Sequence, residues 1–158
     1  LPLIAEICLQ QGKIISFIAT ETRPYMQGAR LTTWELQQAG FEVTLITDNM
    51  VAEVMQERKV NKVIVGADNL ALNGDIANKV GTYQIAILAS YFNVPFYVIC
   101  PPASKAETGR DIRIEVRPEK ELLEICGKQI APLGTKAYYP AFDITPNNLI
   151  TKHIYLKI

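Results

Sequence analysis

The sequence predicts a parallel α/β sheet with helices on both faces. Three observations carry this. Strand-length apolar runs alternate with segments of helical spacing along most of the 158 residues. The links between them are short and lack the two-residue hairpin signals of an antiparallel sheet. The runs are apolar on both faces, as strands covered by helices on both sides must be. Strands joined through helices in this way form a parallel sheet with right-handed crossovers.

Residues 2–11 have helical spacing, closed by Gly12. IISFIA (14–19) is the first strand, and the polar loop ETRPYMQGAR follows, broken by Pro24 and Gly28. LTTWELQQAG (31–40) returns to helical spacing, with Trp34 on its apolar stripe, and ends at Gly40. EVTLIT (42–47) is the second strand, after which Asp48 is placed to cap a helix NMVAEVMQERK. KVIVGA (62–67) is the third strand. A helix is expected over about 76–92, with Tyr83 on its core stripe, and PFYVIC (95–100) is the fourth strand. Past Pro101 the pattern weakens. IRIEV (112–116) reads as a strand and PEKELLEI as a short helix. The C-terminal stretch reads as a Pro-rich loop, a helical turn from Thr145 and a final strand. No repeat or low-complexity segment interrupts a single domain over 1–158.

With 49% apolar and 20% charged residues the chain is expected to be soluble and globular. Its 16 basic and 16 acidic side chains cancel, which removes the electrostatic case for nucleic-acid binding. No apolar run is long enough to span a membrane, and LPLIAEICLQQGK lacks the features of a secretory signal. The chain opens without Met, inside a helical pattern (Leu3, Ile4, Ile7, Cys8), which points to a fragment or a processed form. Cys8, Cys100 and Cys126 are odd in number and widely spaced, so they read as buried small hydrophobes in a reducing cytoplasm. The lone histidine, His153, reads as structural, and no metal site is expected.

In an open parallel sheet the ligand lies outside the carboxyl ends of the strands. Four polar segments fall there: ETRPYMQGAR, TDNM, GADNLALNGDIANK and PPASK. Asp68 follows a buried strand directly. Its carboxylate is expected at the sheet mouth with limited solvent, where it is a usable general acid or base; the bland alternative is a turn or helix cap. Asn78 and Lys79 are expected in the first turn of the next helix. Free N–H groups, the helix dipole and one Lys favour a phosphate there, against a plain solvated helix start. Asp75 reads as that helix's N-cap. Arg23, Gln27 and Arg30 are candidates for phosphate or sugar hydroxyls, with surface ion pairing favoured for Arg30. There is no Walker loop, GxGxxG or GxSxG.

Taken together, ETRPYMQGARLTTWEL, TLITDNM, GADNLALNGDIANKVGTYQIA, PFYV and PAFDITPNNLIT closely resemble the Rossmann-like C-terminal domain of the methylthioribose-1-phosphate isomerase family. That family shares a superfamily with the regulatory subunits of translation initiation factor 2B and with ribose-1,5-bisphosphate isomerase. The NGDxANK form favours the isomerase branch. The resemblance implies conversion of 5-methylthioribose 1-phosphate to 5-methylthioribulose 1-phosphate in methionine salvage, without an external cofactor. It implies a Cys and an Asp in catalysis, through a cis-enediol or a hydride shift. By motif the Asp is Asp68, for proton transfer, while Gln27, Asn78 and Lys79 contact substrate, with Arg23 beside them in the ETRP motif. It also implies a homodimer.

Two departures stand out. The family Cys belongs to an upstream loop, and none of Cys8, Cys100 or Cys126 occupies that position. The family's N-terminal domain is absent too, so this chain carries the Asp half of a site. Second, Asn69 stands where isomerases have Arg, which removes one positive charge near the site and leaves the exact substrate open. The rivals are a 5-deoxyribose-1-phosphate isomerase and a non-catalytic binding protein like the initiation-factor regulatory subunits.

Overall fold

The computed structural model of the chain describes residues 2–57 and 60–155. The patterns expected for the side chains of Leu3 and Ile4, the end of the NMVAEVMQERK helix and the last three residues of the final strand lie outside the described residues. The chain divides into two compact units, Leu1–Val51 and Ala52–Ile158.

The first unit contains α1 (Pro2–Gln10), β1 (Phe17–Thr20), a π-helical turn (Gly28–Thr32), α2 (Thr33–Gln38) and β2 (Val43–Ile46). β1 and β2 pair in parallel, Phe17 opposite Val43 through Thr20 opposite Ile46. Ala5, Leu36 and Phe41 are buried in its core, with Ile15, Phe17 and Val43 packed against them. The Phe17 and Phe41 rings meet edge to face at 5.5 Å between centroids. Burying one side chain the size of Leu36 contributes about 2 kcal/mol, so this small cluster is what holds the pair of strands. Coverage of the pair is incomplete, because Ile18 and Leu45 stay exposed.

The second unit has two sheets that position the site. β3 (Val63–Gly66), β6 (Phe96–Cys100) and β10 (Lys152–Tyr155) run parallel with β6 in the centre. Phe96, Val98 and Cys100 alternate into the interior, the period-two pattern of a strand. Beside them lies an antiparallel sheet of β4 (Asn69–Leu70), β5 (Ile76–Lys79) and β9 (Phe142–Thr145), in that order. α3 (Val51–Glu57) opens at the boundary between the units, and α4 (Thr82–Tyr91) links β5 to β6. A short helix α5 (Lys120–Leu123) runs into a hairpin of β7 (Glu124–Ile125) and β8 (Lys128–Gln129).

Several expectations need correction. The segment 76–92 is not one helix. Ile76 and Ala77 are both buried in strand β5, and Gly81, at φ +103°, breaks the chain before α4 starts. Only glycine adopts that conformation without strain. Antiparallel pairing and two hairpins are present where none was expected. One turns at Asn73–Gly74–Asp75, the other at Cys126 and Gly127, both in left-handed backbone. The segment 112–116 forms only one isolated bridge, Val116 to Pro140, and PEKELLEI keeps a single helical turn. Residues 142–145 are a strand, and the helical turn expected from Thr145 starts at Asn147. Trp34 and Tyr83 are not core residues: they are 58% and 40% exposed. Helical spacing marks a stripe but does not say what covers it. Of the three free cysteines Cys100 is buried, Cys8 half-buried and Cys126 exposed at a hairpin tip. Burial pushes the Cys100 thiol up. Among the described residues no helix is long and apolar enough to cross a membrane.

Candidate functional site

At the end of β1 the ETRPYMQGAR loop is held by Asp48, which follows β2. Its two carboxylate oxygens accept the backbone N–H groups of Thr22 and Arg23, at 2.8 and 2.7 Å. Asp48 therefore anchors a loop 25 residues earlier in the chain, and it stands inside a short turn, Asp48–Met50, whose N-cap position is Thr47. Thr22 and Met26 both sit at positive φ, 61° and 56°. Non-glycine residues in left-handed backbone store strain and concentrate at functional loops. Gly28 lies against β1 so closely that a Cβ there would collide with the Thr20 carbonyl oxygen. Gln27, just before it, is exposed, and Arg23 is half-buried. Arg30 makes no ion pair among the described residues; its Nη1 donates to the Tyr25 carbonyl at 3.5 Å.

In the second unit the chain leaves β3 at Gly66 and enters the β4–β5 hairpin through Asp68. The Asp68 backbone N–H donates to the Ala77 carbonyl at 2.9 Å. Its side chain is exposed, not in the limited solvent that was expected, because the parallel strand ends two residues earlier. No group among the described residues donates to its carboxylate.

The other end of the hairpin is locked. Asp75 is not a helix cap. Its carboxylate accepts Asn73 Nδ2 at 2.9 Å, Gly109 N–H at 3.0 Å and Asn147 N–H at 2.9 Å, tying three loops together. Burial works to raise the Asp75 carboxyl, yet those three donors hold it below its ordinary value. His153 Nε2 lies 2.9 Å from the Gly74 carbonyl, which ties β10 to the hairpin turn.

Asn78 and Lys79 are on β5, not in a helix. Their side chains leave opposite faces of the strand. Lys79 Nζ sits 4.5 Å over the Phe142 ring. Asn78 Nδ2 donates to Thr82 Oγ1 at 2.9 Å, and that hydroxyl donates to the Lys79 carbonyl at 2.7 Å. Asn78 stands directly opposite Asp143 on β9. Asp143 occupies the start of α4 by accepting Gly81 N–H at 2.6 Å and Tyr83 N–H at 3.1 Å. Burial pushes the Asp143 carboxyl above its ordinary range, against the pull of those two amides. The helix N-terminus expected to receive a phosphate is thus already filled by a carboxylate of the same chain.

The structure places Asp68, Asn78 and Lys79 on one hairpin, and Gln27 and Arg23 on one loop of the first unit. Thr82 and Asp143 were missed. Thr82 resembles any helix-start threonine, and Asp143 reaches α4 from about sixty residues away, beyond any local pattern. Chemically the hairpin offers an exposed carboxylate, an amide and an ammonium, a set suited to hydroxyl recognition and proton transfer.

Known proteins share this architecture. Residues 2–155 match the Initiation factor 2 subunit family. A protein of Bacillus cereus named methylthioribose-1-phosphate isomerase is 56% identical over 145 residues, covering 90% of this chain and 41% of the relative. One of the same name from Fervidobacterium nodosum is 52% identical over 94% of this chain and 43% of its own length. Two solved structures superpose at TM-score 0.89, each over 96% of this chain. One is the translation initiation factor eIF-2B, subunit delta, from A. fulgidus, at 48% identity over 45% of its length. The other is 5-methylthioribose 1-phosphate isomerase from Pyrococcus horikoshii, at 42% identity over 43% of its length. The chain therefore spans less than half the length of the relatives it matches.

Proposed function

The chain belongs to the initiation factor 2 subunit family, and from that premise we propose that it supplies the aspartate half of a methylthioribose-1-phosphate isomerase site. The observation that carries this reading is the 56% identity over 90% of the chain to a relative of that name. In the proposed reaction the C1–O bond of the furanose ring breaks and one hydrogen passes from C2 to C1. The C2 hydroxyl gives up its proton to become the ketone and the ring oxygen gains one to become the C4 hydroxyl, so atoms and electrons balance with no external oxidant or cofactor. The phosphate on the anomeric oxygen blocks spontaneous ring opening, so acid–base assistance is required. Asp68 is the proton-transfer group. Its exposed carboxylate, with no donor among the described residues, supports that role. Asn78, Lys79, Gln27 and Arg23 bind substrate. The catalytic Cys and further phosphate contacts come from residues outside this chain. A homodimer in a reducing cytoplasm completes the reading, and three free cysteines are in keeping with that compartment.

A regulatory role is the second reading, favoured by the 48% identity to the eIF-2B delta subunit structure. One assay separates them. The intact protein carrying this chain is incubated with 5-methylthioribose 1-phosphate and the ketose is followed by proton NMR. Ketose formation is expected. Its absence, in a protein that still binds sugar phosphate, would overturn the isomerase reading in favour of the regulatory one.

A further inference from the structure

Thr82 is nearly buried, at 4% exposure, and its hydroxyl sits between two groups that fix its only proton. The Lys79 carbonyl, 2.7 Å away, is purely an acceptor, so the Thr82 proton points there. Thr82 Oγ1 must then accept from its second neighbour, 2.9 Å away on Asn78. Only the amide nitrogen of Asn78 can donate. The orientation of the Asn78 amide is thereby set by hydrogen-bond logic, without depending on an arbitrary assignment of its oxygen and nitrogen. The Asn78 Oδ1, on a half-buried residue, is left as an acceptor with no donor among the described residues.

The charges around it say what such an acceptor suits. Asp143 stands opposite Asn78 across the sheet and already takes the α4 amides. Asp68 follows β3 with its backbone bonded to Ala77, the residue before Asn78. The Lys79 ammonium leaves the other face of the strand, over Phe142. An acceptor directly opposite Asp143 suits a hydroxyl proton, whereas the ionised oxygens of a phosphate have no proton to give it.

We infer that Thr82 is a positioning residue that turns the Asn78 carbonyl outward, so that Asn78 reads a sugar hydroxyl and takes no part in binding the phosphate. The inference rests on the proposed isomerase reading and deepens it by dividing the substrate between the two faces of β5. Thr82→Val keeps the shape and removes both hydrogen bonds, which frees the amide to flip. Thr82→Ser keeps the hydroxyl.

The test uses the intact protein, with NMR of the Asn78 side-chain amide as the direct readout. In the unmodified protein one Nδ2 proton exchanges slowly with water. That protection is lost in T82V and kept in T82S, while the backbone spectrum stays that of the folded protein. The KM for 5-methylthioribose 1-phosphate rises about tenfold in T82V, with kcat changed less than about threefold, as expected for one lost binding contact. T82S restores it, and competitive inhibition by inorganic phosphate is unchanged in both variants. A freely exchanging Asn78 amide in the unmodified protein overturns the inference even if T82V does not fold. So does an unchanged KM in T82V, a serine variant as impaired as valine, or a parallel loss of phosphate inhibition. Turnover with any of these results leaves the isomerase reading standing and removes only the role of Thr82. No turnover in the unmodified protein removes both.

Discussion

Asp68 and Asp75 sit at opposite ends of one hairpin and live by opposite rules. Asp75, at the turn, receives three donors from three loops. Asp68, at the open end, is exposed and receives none among the described residues. A carboxylate saturated with donors is a structural tie, since taking it away abandons the N–H groups it gathers. A carboxylate with its lone pairs unclaimed keeps them for something that comes and goes. On the proposed reading the difference is between holding the chain and serving a substrate, and it can be tested from both ends.

The largest effect is expected at the open end. Asp68→Asn should lower kcat by about 10²–10⁴-fold, the range for loss of a proton-transfer group, with the denaturant midpoint unchanged. Turnover near the unmodified level would break the comparison. At the turn the outcome should invert: Asp75→Ala should cost about 2–3 kcal/mol in urea unfolding, because backbone donors are stranded. A loss of activity with full stability would mean that Asp75 serves chemistry after all.

The pH dependence sharpens the contrast between Asp75 and the other well-bonded carboxylate, Asp143. Asp75 is held below its ordinary value. Its contribution is complete above the ordinary carboxylate range and fades as pH falls through its lowered folded value. Asp143 is pushed above that range by burial. Its contribution is complete below the ordinary range and fades as pH rises through the raised folded value. Subtracting the pH–stability curve of Asp75→Asn from that of the unmodified protein should leave a difference that shrinks toward acid; the same subtraction for Asp143→Asn should leave one that shrinks toward neutral pH. Equal slopes would contradict the opposed environments. The smallest effect belongs to Asn73→Ala, which removes one exposed donor to the Asp75 carboxylate and the acceptor of the Asp75 N–H, and should cost about 0.5–1 kcal/mol in the same unfolding measurement.

The parallel strands before Pro101 were legible because they fall in largely apolar runs, and KVIVGA located Asp68 at a strand end without help from anything distant. The hairpin was not read, although Asn73–Gly74 is among the strongest short-range hairpin signals. The apolar residues of IANKVGTYQIA drew the helix too far back, across a Gly81 that should have stopped it. That error moved Asn78 and Lys79 from strand to helix and invented a phosphate site at amides that Asp143 fills. Asp143 itself was out of reach, because a cap delivered by another strand leaves no local trace. The exposure of Asp68 was misjudged for a related reason: burial depends on what covers a strand end, and periodicity is silent about that.

At Gly28 the alphabet shrinks to one letter. Every other amino acid carries a Cβ, and that atom would land on the Thr20 carbonyl oxygen, in backbone that cannot swing aside as a side chain can. In a randomised library across the ETRPYMQGAR loop, this position admits no negotiation with its neighbours. Gln27, one residue earlier and exposed, tolerates many letters as far as folding goes and is restricted, on the proposed reading, by the substrate it touches. Selection for expression alone would therefore fix the glycine and let the glutamine drift, and a second selection for activity would pull the glutamine back. Two adjacent residues would separate the grammar of the fold from the vocabulary of the site.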